Sequence, residues 1–192
     1  IHDRIHRFLK DSDDFSKEGM FVLRDLSGLQ IFLWSVIIIA AWHVAVFLDC
    51  VKIPTAFFDA TKSRYLPKKW EKGGRWYRDN LKIQLWKDKL PQHIGKGGFS
   101  KAHLTDVSIE YLDEFIMETC RGEWMHLTNC LCGVVMLVVN SLGIGLLFAF
   151  LILLGNLPFA VIQRYNRFRL QILRKRRLRE LRTTEAMETV TV

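Results

Sequence analysis

Glu123 and His126 stand three residues apart in Arg121-Gly-Glu-Trp-Met-His126, immediately before an apolar run over residues 127–162. On a helix, side chains at i and i+3 lie one above the other. A carboxylate beside an imidazole fixes the ring tautomer and raises its basicity, which suits a general base for a hydroxyl. The competing reading is a solvated or headgroup-facing polar strip. It is weaker here because both residues border the apolar run and must be partly desolvated. Thr119 shares their face, and Glu118 and Arg121 can pair on a neighbouring strip.

At the far end of the run, Gln163, Arg164, Asn166, Arg167 and Arg169 crowd into Gln163-Arg-Tyr-Asn-Arg-Phe-Arg169. A stop-transfer cluster explains the arginines but not the amides. A site for an anion and a hydroxyl explains all of them, since guanidinium forks bind phosphates bidentately. Spacing alone weighs the two readings about equally. Two residues before Pro158, Asn156 can satisfy a carbonyl freed by the proline or contact a ligand. His43 is the strongly polar side chain within residues 29–48. It stands near the span's end, close to Asp49, and reads as a structurally paired or snorkelled group rather than as a catalytic one.

These groups need elements to hold them. A membrane span takes about 20 apolar residues, and residues 29–48 and 127–162 qualify. A cleaved signal peptide fits the first stretch poorly, because no small-residue cleavage site follows Asp49-Cys50. As one helix the second would be about 54 Å long, too long for one crossing of a core of about 30 Å. Two spans with a tight turn near Asn140-Ser-Leu-Gly143 are therefore expected, with Ser108 capping the polar helix that leads into them. The fold class is an all-α integral membrane protein: three transmembrane helices, interfacial amphipathic segments and a basic C-terminal helix. Its parts are an interfacial segment (1–28), the first transmembrane helix (29–50) and a basic Trp-rich interfacial region (51–107). An acidic helix plus transmembrane hairpin carrying the site follows (108–169), then a basic amphipathic helix with a disordered tail from residue 183 (170–192).

Charge sets the expected orientation. Residues 52–101 carry 13 Lys/Arg against four acids, and residues 164–182 carry nine against one. Basic loops stay cytoplasmic, so both regions are expected on the inner face of the cell membrane, with an even number of crossings between them. Basic residues interleaved with Trp70, Trp76, Tyr77 and Trp86 suit headgroup depth. The alternation over residues 81–85 allows a short strand, although interfacial helical or irregular structure is preferred. Nucleic-acid binding is a poor reading of a basic stretch flanked by spans. The four cysteines match no zinc spacing and read as buried, inert thiols, and no metal site is expected.

Five stretches carry a family resemblance. They are Pro54 through Phe58, Trp70-Glu-Lys-Gly-Gly-Arg-Trp-Tyr77, Leu85-Trp-Lys-Asp-Lys-Leu-Pro91, Phe115-Ile-Met-Glu-Thr-Cys-Arg-Gly-Glu-Trp-Met-His126 and Asn156-Leu-Pro-Phe-Ala-Val-Ile-Gln-Arg-Tyr-Asn-Arg-Phe-Arg-Leu170. In order and spacing, over residues 54–177, they resemble the glycosyl-4,4'-diaponeurosporenoate acyltransferases of staphyloxanthin biosynthesis. The resemblance implies a small membrane enzyme moving a fatty acyl group from acyl-CoA to a sugar hydroxyl of a glycolipid, a glycosylated carotenoid or another acceptor. His126, aided by Glu123, would then deprotonate the hydroxyl, with Asn166, Gln163 or a cation stabilising the oxyanion. Arg164, Arg167 and Arg169 with Lys87 and Lys89 would hold the phosphates of CoA, and Asn156 and Trp86 would complete the substrate site. Lacking a Ser-His-Asp order or a nucleophilic Cys arrangement, direct transfer is preferred to an acyl-enzyme. Acyl-CoA is a co-substrate and no resident cofactor is expected. The partners are membrane lipids, the glycolipid acceptor and acyl-CoA, with no nucleic acid, and a homo-oligomer or membrane complex stays open. The alternative is a non-catalytic membrane adaptor that docks a partner through its basic tail and Trp-rich loop.

Overall fold

The computed structural model describes residues 23, 26–90 and 108–190. Most of the expected interfacial segment (1–28) and residues 91–107 of the Trp-rich interfacial region lie outside these. The described chain is helical. Its α-helices are α1 (Gly28–Lys52), α2 (Arg75–Leu81), α3 (Ile109–Cys130), α4 (Cys132–Val139) and α5 (Leu142–Val190), with short 3-10 turns between α1 and α3. Among the described residues there is no strand, and residues 83–85 form one of the 3-10 turns. Three helical stretches, Gly28–Lys52, Ile109–Val139 and Leu142–Thr184, are long and apolar enough to cross a membrane. The chain forms two units, Ile1–Lys52 with Met125–Pro158 and Ile53–Trp124 with Phe159–Val192. Both α3 and α5 contribute residues to each.

The first unit is the expected hairpin joined by α1. Asn140 leaves the helical region (φ −111°, ψ 164°) and ends α4, and α5 begins two residues later. Small residues then let the arms close, as in membrane packing generally. A Cβ on Gly145 would lie 2.9 Å from the Met136 carbonyl oxygen, and one on Gly133 would lie 3.4 Å from Ala149 Cα. Ser27 and Gln30 cap α1 reciprocally, Ser27 N donating to Gln30 Oε1 and Gln30 N to Ser27 Oγ. Trp42 Nε1 donates to the Thr128 carbonyl at 3.3 Å and Ser35 Oγ to Asn140 Oδ1 at 3.4 Å. Cys132, Met136 and Ile152 form the core, with Ile38, Ile39 and Trp42 packed on it. Large apolar side chains such as Phe32, Ile37, Phe47, Val134 and Phe150 face outward, as a lipid solvent allows.

In the second unit, Lys72, Gly73 and Gly74 all have positive φ (49°, 65° and 90°). That left-handed turn, cheap only for glycine, folds residues 69–74 back against α2. Gly74 is needed for space as well, since a Cβ there would lie 3.1 Å from Phe168 Cβ. One core joins Tyr77 and Ile83 to Ile162, Tyr165 and Phe168 of α5. A second joins Leu112, Phe115 and Ile116 of α3 to Leu170. Ser108 caps α3 as expected, its Oγ accepting from Tyr111 N at 3.3 Å. At the tail, α5 runs on to Val190. No Gly or Pro interrupts it there. Glu180 pairs with Arg176 and Arg177, and the Thr183 and Thr184 hydroxyls donate to the carbonyls of Arg179 and Glu180.

Candidate functional site

Among the described residues, each unit holds a polar cluster that includes residues marked out by the sequence. In the second unit the cluster is built on Arg164, whose side chain is 8% exposed. Its Nε and Nη2 donate to the two oxygens of Glu71 at 2.7 and 2.9 Å. Nη1 donates to the carbonyls of Arg64 and Tyr65, and Nη2 also to that of Leu66. Every N–H of the guanidinium thus has an acceptor within the protein. Glu71 is fully buried and accepts from the Tyr77 hydroxyl at 2.6 Å and from Lys68 N as well. Burial would raise the Glu71 pKa, yet hydrogen bonds from Arg164, Tyr77 and Lys68 outweigh it and hold the carboxylate below its ordinary value.

Beside this fork, Arg167 is 2% exposed and donates to Glu123 Oε2 and, at 3.2 Å, to Cys120 Sγ. Glu123 Oε1 lies 3.6 Å from Arg164 Nη1, and the Arg167 guanidinium lies 5.2 Å from the Tyr65 ring. Burial, then the neighbouring Cys120, pushes the Tyr65 phenol up to about 12. Burial and Glu71 push the Tyr77 phenol well above its usual range. Both hydroxyls therefore stay protonated at neutral pH and neither is a general base.

The first unit brings together one polar side chain from each spanning stretch: His43 of α1, His126 of α3 and Asn156 of α5. Their hydrogen bonds assign a tautomer to each neutral ring. His43 Nδ1 lies 2.8 Å from the Ile39 carbonyl, which can only accept, so Nδ1 carries the proton and Nε2 the lone pair. The Asn156 amide nitrogen donates to the Ile152 carbonyl at 3.0 Å and to His43 Nε2 at 3.4 Å. That fixes the amide orientation and turns Oδ1 toward His126, whose Nδ1 lies 3.1 Å away. His126 Nδ1 is therefore the donor, and in the neutral ring Nε2 holds the basic lone pair. Pro158 frees the Leu154 carbonyl, but Asn156 bonds the carbonyl of Ile152 instead.

The structure thus divides the residues marked out by sequence. Glu123 is held by Arg167 and Arg164, and the group that sets the His126 tautomer is Asn156. Gln163 is half-buried at the closest approach to α3, where a Cβ on Gly122 would lie 3.0 Å from its side chain. Asn166 is half-buried, and Arg169 is exposed with its guanidinium 6.0 Å from the Tyr165 ring. Trp86 packs on the Tyr77–Tyr165 core and donates to the Leu81 carbonyl. Lys87 pairs with Asp88, and Lys89 is exposed. Glu118 and Arg121 pair at 2.7 Å as expected. Sequence reasoning missed Glu71 and passed over His43, which bonds Asn156 rather than pairing near Asp49. Glu71 carries a signal nonetheless, as one of only four acids in the basic region over residues 52–101.

An imidazole of assigned tautomer thus lies among helices long and apolar enough to cross a membrane. The kind of protein follows from its relatives. Residues 61–176, more than half of the chain, match the glycosyl-4,4'-diaponeurosporenoate acyltransferase family, and the chain belongs to that family. Proteins of that name from Staphylococcus aureus are similar to it. The one from strain MRSA252 is 28% identical over 130 residues, 64% of this chain and 76% of the relative. Those from strains N315 and bovine RF122 / ET3-1 are 28% and 27% identical over 126 residues, with the same coverage of both chains. No solved structure matches the chain.

Proposed function

We propose that the chain is a membrane O-acyltransferase that moves a fatty acyl group from acyl-CoA to a sugar hydroxyl of a glycolipid, a glycosylated carotenoid-like acceptor. His126 Nε2 takes the hydroxyl proton as the oxygen attacks the thioester carbonyl. The C–S bond then breaks, and the thiolate of CoA recovers the proton from the imidazolium. A hydrogen-bond donor beside the thioester carbonyl would stabilise the developing oxyanion. The cations left to meet the CoA phosphates are the exposed ones, Arg169 and Lys89, with Lys87 beside Asp88, because Arg164 and Arg167 are committed to Glu71 and Glu123. Glu123 acts by fixing Arg167 and α5. The basic loop and C-terminus face the cytoplasm of the cell, where acyl-CoA is made. The observation that supports this reading is the His43–Asn156–His126 chain, which assigns the proton of the neutral His126 ring to Nδ1 and the lone pair to Nε2.

The test is acyl transfer from a long-chain acyl-CoA to a glycolipid by purified protein in liposomes. His126→Ala should lower kcat by about 10²–10⁴, the contribution of a positioned general base, in a protein that still inserts and folds. Undiminished transfer would remove His126 from the mechanism.

A further inference from the structure

Asn129 is 5% exposed, and its Oδ1 has no hydrogen-bond partner among the described residues. It lies on α3 three residues beyond His126, so the two side chains share a face about 4.5 Å apart along the axis. That face is the one the hairpin buries. Gly133 opposes Ala149 and His126 opposes Asn156, and seven residues separate the paired positions on each arm. Asn129 falls between these two contacts, within the same packed seam. A buried amide oxygen left unpaired destabilises a fold, and most such oxygens have a donor. This one is placed one helical turn from the base.

Resting on the acyl-transfer reading, we propose that Asn129 binds the acceptor, its Oδ1 receiving a second hydroxyl of the sugar whose reacting hydroxyl meets His126. A carbonyl-type oxygen can only accept, which excludes the acyl chain, the thioester carbonyl and phosphate as its partner. The reactant groups that can donate to it are the sugar hydroxyls and, on CoA, the amide N–H groups and hydroxyl of the pantetheine arm and the hydroxyl and amine of the adenosine. The sugar fits better, because the reacting hydroxyl must lie at His126 Nε2 and a second hydroxyl of the same ring spans the short distance to Asn129. Asn129 is thus a positioning residue that orients the acceptor and takes no proton.

The experiment uses the full chain in liposomes, a long-chain alkyl glucoside as acceptor, and analogues lacking one ring hydroxyl at a time. Wild type, Asn129→Ala and Asn129→Leu are compared. In wild type, one analogue altered away from the acylated position should show an acceptor KM raised about tenfold or more. Both variants should accept the intact glucoside no better than wild type accepts that analogue, and should no longer discriminate the two. Their KM for acyl-CoA should be unchanged. Wild type indifferent to every deoxy position, variants that still discriminate, or an effect confined to the KM for acyl-CoA would each overturn the assignment. The wild-type series needs no variant, so it stands even if neither variant folds. Glucoside binding measured without acyl-CoA separates the two readings. Binding that depends on Asn129 without any turnover would refute acyl transfer alone.

Discussion

Replacing Arg164 by methionine tests whether this residue is a structural clamp or a ligand-binding cation. The change leaves Glu71, which is fully buried, with the Tyr77 hydroxyl and Lys68 N but no countercharge. It also removes the donors to the carbonyls of Arg64, Tyr65 and Leu66. Breaking a buried pair by removing one partner costs about 3–5 kcal/mol, and the buried Tyr65 carbonyl adds about 1 kcal/mol. Against a total stability of about 5–15 kcal/mol, Arg164→Met should unfold or severely destabilise the protein. Thermal unfolding in mild detergent, followed through tryptophan fluorescence, reads this directly. The double variant Arg164→Met/Glu71→Met, which leaves no unpaired charge, should recover much of the loss. A single variant that loses less than about 1 kcal/mol while raising the KM for acyl-CoA would refute the clamp. Arg164 would then belong with the phosphate-binding cations.

Acid should find the same cluster. The pKa of Glu71 is depressed in the folded state, so its contribution is present above the unfolded value of about 4.5 and is lost as pH falls through the folded one. Detergent-solubilised protein should thus show flat stability near neutral pH and a drop in acid, and the drop should be shallower in Glu71→Gln. At the site, Asn156→Leu should lower kcat about tenfold, the worth of one good hydrogen bond, a smaller loss than His126→Ala causes in the same transfer assay. In the hairpin, Gly145→Ala should destabilise by about 1–3 kcal/mol, because the new Cβ meets backbone at 2.9 Å. Gly155→Ala, with nothing within 4 Å of its Cβ, should be neutral or stabilising by up to about 1 kcal/mol. Melting curves of the two variants decide that contrast.

The spans were legible because hydropathy is a local property. Residues 29–48 and the break at Asn140-Ser141 needed only length, composition and a polar pair in the middle of an apolar run. The polar partners were not legible, because each depends on a residue far along the chain: Asn156 on His43, Arg164 on Glu71. Glu123 and His126 illustrate the difference. Their i, i+3 spacing suggests that one serves the other. In the fold each has a stronger partner on α5, Arg167 for the carboxylate and Asn156 for the imidazole. Local spacing told which groups could meet, and tertiary packing decided which did.

The three arginines after the last span carry this furthest. Arg164 and Arg167 are separated by about 60° around a helix, whereas Arg169 is turned about 140° from Arg164. Helical geometry alone therefore says that the first two share a face and the third does not. It does not say which face is buried. That is set by Glu71, whose carboxylate is presented by a turn that only its two glycines make cheap, and by Glu123 on α3. Two arginines that face acids become part of the scaffold, and the one that faces outward keeps its charge at the surface. An arginine count along the sequence would assign all three the same role, but their pairing leaves Arg169 as the residue whose removal should weaken acyl-CoA binding without unfolding the protein.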